Sequence, residues 1–559
     1  MAKAKGQGRT GARLLVDALQ ANGVDRAFCV PGESYLAVLD ALVDAPEIEL
    51  VICRQEGGTA IMAEADGKMT GRPGIAFVTR GPGATNASAG VHIGFQDSTP
   101  MILFIGQVAR HQAEREAFQE IDYRRMFGQM AKWVAQVEDP NKMPEIVNQA
   151  FHRAMAGRPG PVVIALPEDM LTEEAPNAPA AAGRAESHQA HPGPADMTAL
   201  RDMLAGAERP LLMLGGPTWT EDAARDIIAF AEASNIPVSV SFRRQDLISN
   251  EHPLYAGDVG IGINQKLAAR VRETDLLIAV GPRLGEMTTS GYALLDIPTP
   301  KQRLVHVHPG AEELGRVYRP ALGINSCMAG FAAAARALEP VKGRWDNWAG
   351  TAHDEYLAWT EPPKTPGDVQ MGAVVKHLRD VLPPDAMICN GAGNYTAWVH
   401  RFYRYRGYGT QLAPTSGSMG YGVPAAVAAK LRYPDREVVC VAGDGCFMMT
   451  CQEVATARQY GANVIFLVVN NGMYGTIRMH QEREYPERVS GTQLVNPDFV
   501  ALGKAYGCYS ELVTETSQFE GALERARKAG APALIELRTD PEAITPSATL
   551  SGLRAQAKG

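Results

Sequence analysis

Two short apolar segments in the last third of the chain are each followed by a side chain that can bind a hard metal ion. Asp444 follows the run REVVCVAG in a Gly-Asp-Gly turn, and Asn471 ends the run NVIFLVVNN. Carboxylate and amide oxygens suit Mg²⁺ or Ca²⁺ rather than zinc. Mg²⁺ usually completes its coordination with water and substrate phosphates. The two side chains therefore predict a metal ion that bridges a bound diphosphate.

The residues between these two ligands predict how they are brought together. The segment FMMTCQEVATARQY is predicted to be a helix that Gly461 ends, and the apolar runs on either side are predicted strands. The two glycines of the turn let the backbone approach a phosphate closely, and a helix that begins near Cys446 favours negative charge there. Open α/β sheets bind ligands at the carboxyl ends of their strands, so Asp444 and Asn471 should converge. The alternative is a turn that only caps a helix.

Short apolar runs alternate with amphipathic stretches along the whole chain. Runs of this kind, separated by helical patterns, are typical of parallel sheets covered by helices. We therefore predict an α/β fold. The 559 residues exceed what one hydrophobic core usually supports, so several domains are expected. The clearest predicted strands lie in residues 74–80, 100–106, 161–166, 211–216, 275–281, 436–443 and 463–471.

Two stretches without periodicity divide the chain into three pieces. Residues 173–195 are rich in Ala, Pro and Gly, and residues 339–368 are mixed and end in EPPKTPGD. Both are typical of linkers. We predict three open, doubly wound parallel-sheet domains. They comprise residues 8–172, 196–338 and 369–542, and a tail of residues 543–559 follows.

Composition argues against several classes of protein. The formal net charge is −8 and no Lys/Arg block occurs, which argues against nucleic-acid binding. No apolar run approaches the length of a membrane span, and the basic amino-terminal segment lacks the apolar core of a signal peptide. The eight cysteines are scattered without a CxxC pair, which favours reduced thiols and a cytoplasmic location.

Further motifs accompany the Gly-Asp-Gly turn and the paired asparagines. They are PGE (31–33), RQEGGTAIMAEADG (54–67), TRGPGATNA (79–87), QDSTPMILFIGQV (96–108), FQE (118–120), GRPGPVVIALPEDM (157–170) and SGSMGYGVPAA (416–426). With them the chain resembles the thiamine-diphosphate enzymes of the pyruvate oxidase and acetohydroxyacid (acetolactate) synthase superfamily over nearly its whole length. The middle piece matches more loosely than the other two. The resemblance implies an N-terminal domain that binds the pyrimidine ring, a central domain, and a C-terminal domain that binds the diphosphate.

The resemblance also implies where the cofactor is held. Asp444 and Asn471 match the Mg²⁺ ligands, with the carbonyl of Met473 as the third. Met419 matches an apolar residue that wedges between the two rings of thiamine diphosphate, although a Met there could be only a gap filler. The complete implied cofactor-binding set is Gly32, Asn394, Tyr395, Ser418, Met419, Gly443, Asp444, Gly445, Cys446, Asn471, Met473 and Tyr474.

Two residues of the first piece match catalytic positions of the family. Glu56 matches a glutamate that hydrogen-bonds the aminopyrimidine ring, and it should be partly desolvated. Its alternative is an ordinary N-terminal charge that offsets a helix dipole. Gln119 matches a glutamine that faces the reactive carbon, and its alternative is a surface side chain on a helix.

Three further candidates for catalysis depart from the synthase pattern. Glu33 and Arg80 stand where synthases usually have small residues. Glu33 could act on a substrate hydroxyl or carbonyl or cap the next helix, and Arg80 could pair with a substrate carboxylate or phosphate or with Glu33. His480 and Thr476 replace the Trp and Met of the MVxQWQ segment, whose Trp selects 2-oxobutyrate as acceptor.

The middle piece keeps only part of the pattern of FAD-binding relatives. GPRLGEM retains Arg283 but not the acidic pair of GxRFDDR, and His308 stands where many relatives have Asp. The loop YAGDVG also departs from LGMHG. We therefore favour a chain that does not bind FAD, with FAD binding as the open alternative.

The resemblance implies decarboxylation of a 2-oxo acid such as pyruvate, with carboligation to a second carbonyl. The active sites of the family lie between subunits, which implies a homodimer or homotetramer, and the tail of relatives can fold over the site; a frayed end is the alternative. The rival enzymes are a 2-hydroxyacyl-CoA lyase, an aldehyde lyase or a simple 2-oxo acid decarboxylase. A non-catalytic thiamine-fold partner protein is a rival of another class. Retention of Glu56, Asp444 and Asn471 together argues against that last alternative.

Overall fold

The structure, a computed structural model, describes residues 9–343 and 345–558. The predicted boundaries at residues 8 and 559, and residue 344 of the second predicted linker, lie outside the described residues. The described residues form three six-stranded parallel sheets with helices packed on them, which confirms the predicted α/β fold. All seven of the strands predicted most clearly are present. None of the helices in these residues is long and apolar enough to cross a membrane.

The first sheet has the strand order β2-β1-β3-β4-β6-β5 and belongs to a compact unit formed by residues up to 188 together with 427–432. Two of its helices, Glu56–Thr70 and Gly81–Asp97, pack closely on each other. If Gly90 carried a Cβ, that atom would lie 2.5 Å from the Cβ of Ala60. The strands are β1 (Arg26–Cys29), β2 (Glu49–Ile52), β3 (Gly74–Val78), β4 (Met101–Gln107), β5 (Trp133–Gln136) and β6 (Pro161–Pro167). The helices are α1 (Gly11–Ala21), α2 (Leu36–Val43), α3 (Glu56–Thr70), α4 (Gly81–Asp97), α5 (Tyr123–Phe127), α6 (Met143–Met155) and α7 (Glu168–Thr172).

The second sheet has the order β12-β11-β10-β7-β8-β9 and lies in a second compact unit, which holds the rest of the described chain. Five of its six strands are almost entirely buried, and the edge strand β12 is partly exposed. The strands are β7 (Pro210–Leu214), β8 (Val238–Ser241), β9 (Tyr255–Val259), β10 (Leu276–Val280), β11 (Arg303–His308) and β12 (Leu322–Asn325). Its helices are α8 (Pro194–Ala205), α9 (Glu221–Ala233), α10 (Gln265–Glu273), α11 (Met328–Arg336) and α12 (Asp346–Trp359).

The second predicted linker, residues 339–368, departs from the prediction because it contains α12. The side chain of Trp345 is 1% exposed, and its indole N–H donates to the carbonyl of Ser234. Tyr356, also in this segment, stacks edge-to-face on Tyr255. These aromatic contacts fix the segment against the middle sheet, so it is part of that core. The first predicted linker, residues 173–195, is irregular up to Pro194, where α8 begins.

The third sheet, in the same unit as the second, has the order β14-β13-β15-β16-β18-β17. Neighbouring parallel strands β15 and β16 align Gly443 with Val469, so their carboxyl ends coincide. The strands are β13 (Met387–Asn390), β14 (Gln411–Leu412), β15 (Val438–Gly443), β16 (Ile465–Asn470), β17 (Tyr509–Val513) and β18 (Ala533–Arg538). The helices are α13 (Met371–Val381), α14 (Thr396–Phe402), α15 (Gly422–Arg432), α16 (Asp444–Met448), α17 (Glu453–Gln459), α18 (Gly475–Glu484), α19 (Phe499–Ala505), α20 (Phe519–Lys528) and α21 (Leu550–Lys558).

The helix predicted between the two metal-ligand candidates is two helices, α16 and α17. The first of the two, α16, starts at Asp444, two residues before the predicted start near Cys446. The break falls at Thr450, whose buried hydroxyl donates to the carbonyl of Gly420 at 2.6 Å. The predicted end is confirmed, because α17 stops just before Gly461, which has a φ of 65°.

The tail ends in α21, an ordered helix that packs on α18. Leu550 and Leu553 cluster with Met473 and Met479. Arg554 donates two hydrogen bonds of 2.9 Å to the buried carboxylate of Glu482. Residues 550–558 are therefore anchored rather than frayed.

We expect the attachment of α21 to weaken in acid. The hydrogen bond from Arg554 lowers the pKa of Glu482 from 4.5 to about 2. A carboxylate with a lowered pKa stabilises the folded state fully above pH 4.5, and this contribution is lost as the pH falls towards 2. Hydrogen exchange of the α21 amides, compared with that of α13, should show selective loss of protection over this range.

The matched variants are Arg554→Ala and Lys558→Ala, the second of which removes an exposed pair with Glu487. Only Arg554→Ala should reduce protection of α21 at neutral pH and flatten its pH dependence. This account would be contradicted if, in the wild-type protein, the hydrogen-exchange protection of α21 relative to that of α13 stayed the same between pH 5 and pH 2.5.

Candidate active site

Asp444 lies at the carboxyl edge of the third sheet, where β15 passes into α16. The residue is 2% exposed. Its Oδ1 accepts the N–H of Gly445 at 2.9 Å, and its Oδ2 accepts the N–H of Gly472 at 2.9 Å and the amide Nδ2 of Asn496 at 2.7 Å. Burial raises the pKa of this carboxyl, while these donors act in the opposite direction. The carboxylate is thus fixed in orientation by three donors.

Asn471 and Met473 follow the adjacent strand, β16. Because Gly472 donates its N–H to Asp444 Oδ2, the backbone after Asn471 lies beside that carboxylate, at the same edge of the sheet. Asn471 Oδ1 accepts the N–H of Met473 at 3.3 Å. Met473 forms an isolated antiparallel bridge with Gln493, which uses the carbonyl of Gly472 and the N–H of Tyr474. The Met473 carbonyl oxygen is outside that pairing, as a metal ligand requires.

The oxygen atoms that Asp444, Asn471 and Met473 offer to a metal ion fit Mg²⁺ rather than a softer metal. They are a carboxylate, an amide oxygen and a backbone carbonyl, all hard oxygen ligands. Within residues 9–343 and 345–558, no group of three or more His, Cys, Asp or Glu side chains is placed to hold a metal. An ion at Asp444 therefore needs oxygens from a bound molecule to complete its shell, and a diphosphate supplies them.

Asn496 is a functional candidate that the sequence analysis missed. Its Nδ2 donates both to Asp444 Oδ2 and, at 2.9 Å, to Asn470 Oδ1. Asn496 lies more than fifty residues after Asp444, in a stretch without a recognisable motif. Its position in the sequence therefore gives no indication that it contacts Asp444. Asn496 orients the carboxylate without being a ligand itself.

Asn496→Ala should weaken Mg²⁺ binding about 10- to 100-fold, which is typical for loss of a group that orients a metal ligand. Titration of Mg²⁺ into protein with thiamine diphosphate, followed by tryptophan fluorescence, measures this. Gln493→Ala, which changes an exposed side chain of the same segment, is the control. An Asn496→Ala protein with unchanged Mg²⁺ affinity but a lower metal-free melting temperature would assign Asn496 a purely structural role.

Tyr395 packs against the Gly-Asp-Gly turn, and its hydroxyl contacts other residues of the protein. It is 7% exposed, and the hydroxyl accepts the N–H of Gly391 at 3.0 Å and lies 3.2 Å from Cys446 Sγ. A Cβ on Gly443 would lie 2.8 Å from the Tyr395 ring, so this ring requires glycine at the start of the turn. The side chain of Tyr395 thus supports the turn from below. Its predicted contact with a diphosphate stays a prediction.

Asn394 and Tyr474 connect the turn after β13 to α18. Asn394 Oδ1 accepts the hydroxyl of Thr476 at 2.9 Å, and its Nδ2 donates to Met479 Sδ at 3.4 Å. The Tyr474 ring packs against Gly445, where a Cβ would lie 2.6 Å from it. The predicted site residues on these elements are therefore held together.

Ser418 and Met419 lie in a tight turn between two glycines with positive φ, Gly417 at 69° and Gly420 at 79°. Gly420 donates its N–H to Cys446 Sγ at 3.2 Å, which fixes the turn to α16. Met419 is half-buried against the core of the third sheet. The predicted wedge residue is therefore on a rigid support beside the Gly-Asp-Gly turn.

Glu56 is the first residue of α3, in the first compact unit. The helix begins there because the side chain of Gln55 accepts the N–H of Gly58 at 3.1 Å. The Glu56 side chain is half-buried, and its Oε2 accepts the amide of Asn86 at 2.9 Å. A Cβ on Gly83 would lie 3.5 Å from Oε1, so the start of α4 borders the same carboxylate. Asn86 is a second contact that the motif search did not single out.

Gln119 lies in a turn rather than on a helix, so the helical alternative is wrong. Its φ is 65°, and its carbonyl accepts the N–H of Gly81 at 3.0 Å. Glu120 holds the turn by accepting the N–H groups of Glu114 and Ala117. The turn is thereby joined to the first residue of α4.

Glu33, Arg80 and Gly32 complete this part of the site. Glu33 starts a short 3-10 helix, and its exposed carboxylate accepts the guanidinium of Arg80 at 3.0 Å. A Cβ on Gly32 would lie 2.5 Å from Thr79 Cβ, so glycine allows the two loops to meet. The structure thus brings Glu33, Arg80 and Gln119 to one edge of the first sheet. His480 lies elsewhere, on the exposed side of α18.

Arg283, which the middle piece keeps of the FAD pattern, lies beside a small cavity in the middle domain. Arg283 lies 3.5 Å from Glu313. The cavity beside it, lined also by Tyr292, His306 and Tyr318, has a volume of about 20 Å³. That space is about the size of a single water. The expected absence of FAD stays a prediction.

Comparison with known proteins decides the family. Three family models match the chain in order: the N-terminal TPP binding domain of thiamine pyrophosphate enzymes over residues 9–126, their central domain over 197–336, and their C-terminal TPP binding domain over 391–537. The chain is 33% identical over 544 residues to the acetolactate synthase large subunit of Parasynechococcus marenigrum. The aligned region covers 94% of this chain and 87% of that protein. The chain belongs to the thiamine pyrophosphate enzyme family.

A second similar protein supports the same assignment. The chain is 30% identical to the acetolactate synthase isozyme 2 large subunit of Escherichia coli, over 95% of both chains. Similarity to acetolactate synthases therefore extends across all three domains of this thiamine pyrophosphate enzyme, and thiamine pyrophosphate, or thiamine diphosphate, is its cofactor. The domains that match the TPP-binding models carry Glu56 and Asp444, the two residues with the clearest geometry.

Proposed function

We propose that this acetolactate-synthase-like enzyme decarboxylates a pyruvate-like 2-oxo acid and joins the remaining fragment to a second carbonyl. Bound thiamine diphosphate supplies the carbon nucleophile and electron sink that this chemistry needs. The observation that carries the proposal is Asp444, buried and held by three donors beside Asn471, in a chain that also keeps Glu56 at a helix start.

The chain's own residues have defined tasks in this proposal. Asp444, Asn471 and the Met473 carbonyl would hold Mg²⁺, which would supply positive charge to the diphosphate. Glu56 would hydrogen-bond the aminopyrimidine ring and exchange a proton with it, and Asn86 orients the carboxylate of Glu56. Gln119 faces the reacting atoms from a turn anchored to α4.

The proposal includes a homodimer or homotetramer in the cytoplasm that acts on small molecules. The resemblance to enzymes whose active sites lie between subunits supports this oligomer. All eight cysteines are free and buried, which supports a reducing compartment. Light scattering of the purified protein, with and without thiamine diphosphate and Mg²⁺, measures the oligomeric state.

A carboligase or lyase with other substrates is the second candidate. Glu33, Arg80 and His480 favour it, because these charged or titratable groups stand where synthases have smaller or apolar residues. The reaction would use the same residues to hold the cofactor and would differ in the substrate groups it recognises.

A product assay separates the two candidates. Protein would be incubated with thiamine diphosphate, Mg²⁺ and pyruvate, with and without FAD and a panel of aldehydes, 2-oxo acids and acyl-CoA thioesters, and the products identified by NMR. Acetolactate from pyruvate alone, without FAD, is the expected result. Turnover of another 2-oxo acid, aldehyde or acyl-CoA with pyruvate untouched would favour the second candidate, and no turnover of any would refute both.

A further inference from the structure

Arg80 is a buried cation whose hydrogen-bonding capacity is largely unused. The residue is 6% exposed. The guanidinium has five N–H groups, and the structure pairs only one of its nitrogens. This atom, Nη2, donates to Glu33 at 3.0 Å and lies 3.9 Å from Glu168. The Nε of Arg80 is buried without a partner. Buried donors are nearly always paired, so an unpaired one indicates a missing acceptor.

The acceptor that Arg80 has now is loosely held. The Glu33 side chain is 75% exposed, and such an exposed ion pair contributes little stability. The ring of Phe118, itself 71% exposed, lies 5.9 Å from the guanidinium carbon. The side of Arg80 that meets solvent is therefore bordered by two side chains that an incoming molecule can displace.

The position of Arg80 relates it to the reacting centre. It immediately precedes α4, and the next residue, Gly81, is bonded to the Gln119 carbonyl. Gly83, on the first turn of the same helix, borders Glu56. A group held by Arg80 thus lies next to the loop that carries the proposed chemistry, and the helix N-terminus adds to the positive potential there.

We propose that Arg80 binds an oxyanion, a carboxylate or phosphate, which stays on the substrate throughout the reaction; this rests on the proposed function. Either group can accept two N–H groups of the guanidinium at once and replace Glu33. The carboxylate that leaves as CO₂ is not this group. A receptor that grips the leaving carboxylate stabilises the substrate more than the transition state and slows its loss. The anion therefore belongs to the acceptor or to the side chain of the donor.

Paired substrates distinguish these two sources. Glyoxylate and acetaldehyde test the acceptor, and 2-oxoglutarate and 2-oxobutyrate test the donor. Arg80→Ala should raise KM for the anionic member of one pair about 10- to 100-fold, the range expected for losing hydrogen bonds to a charged group. KM for the other member of that pair, which has no charge on the part that remains in the product, should stay within about twofold, and Arg80→Lys should recover part of the loss. Arg125→Ala, whose side chain is 91% exposed, is the control.

Binding separates failure of this inference from failure of the proposed function. Calorimetric titration of oxalate and of its neutral diamide into protein loaded with thiamine diphosphate and Mg²⁺ needs no turnover. Oxalate should bind wild type about 10- to 100-fold more tightly than Arg80→Ala, and the diamide should not discriminate. If wild type and Arg80→Ala bound oxalate with equal affinity, the role of Arg80 would be overturned. The same conclusion would follow if Arg80→Ala lowered kcat/KM equally for both substrates of each pair, even though the enzyme is active.

Discussion

Replacing Glu56 with glutamine should lower kcat by about 100- to 10,000-fold while leaving thiamine diphosphate bound. Glutamine has nearly the same shape, and its oxygen can still accept the amide of Asn86, which is 2.9 Å from Glu56 Oε2. The start of α3 depends on Gln55, not on Glu56, so the helix should remain. What the variant loses is a group that can carry a negative charge and exchange a proton.

Steady-state assays with the best donor, together with calorimetric titration of the cofactor, measure the two effects separately. Glu47→Gln, at an exposed position of the same domain, is the matched control and should behave as wild type. A Glu56→Gln enzyme with wild-type kcat and bound cofactor would remove Glu56 from the mechanism. Loss of cofactor binding together with activity would instead assign it to binding.

Replacing Asp444 with asparagine should weaken Mg²⁺ binding by more than about 100-fold, with loss of turnover at millimolar Mg²⁺. Changes to groups that only orient a metal ligand already cost about 10- to 100-fold, and Asp444 is proposed as a ligand itself. The amide also places two N–H donors where Oδ2 now accepts Gly472 and Asn496. Both donors then lose Oδ2 as an acceptor and keep only Asn470 Oδ1, so the turn loses rigidity as well.

Mg²⁺ titrations at saturating thiamine diphosphate test this, and high Mg²⁺ should restore part of the activity. Asp498→Asn is a close control, because Asp498 caps α19 and asparagine caps equally well. Asp444→Asn with the Mg²⁺ affinity of the control would contradict the metal site. Asn471→Ala should share the defect of Asp444→Asn and retain more stability, since its Oδ1 accepts a single N–H.

Much of the fold could be predicted because strand ends carry strong local signals. The runs before Asp444 and Asn471 are buried strands, and parallel pairing of β15 with β16 brings both residues to one edge. Glu56 follows β2 and starts α3, as its flanking residues indicated. In each case a β-branched apolar run, a glycine or polar turn and a helical pattern agree with one another.

What could not be predicted depends on contacts between distant segments. Asn496 reaches Asp444 across a loop, and the pairing of Arg80 with Glu33, two loops 47 residues apart, was one of several alternatives that the sequence left open. The segment around Trp345 lacks a clear period, and only its tertiary contacts with the middle sheet make it part of a core. A sequence records the capacity of these side chains to form such contacts, not the partner they find.

The most direct test of the account is deuterium exchange at the carbon between nitrogen and sulfur in the thiazolium ring of bound thiamine diphosphate. It measures activation of the cofactor without any knowledge of the substrate, by rapid quench and proton NMR. The account predicts exchange at least about 100-fold faster in the wild-type complex than in Glu56→Gln. Exchange in the wild-type complex no faster than in free thiamine diphosphate with Mg²⁺ would contradict it.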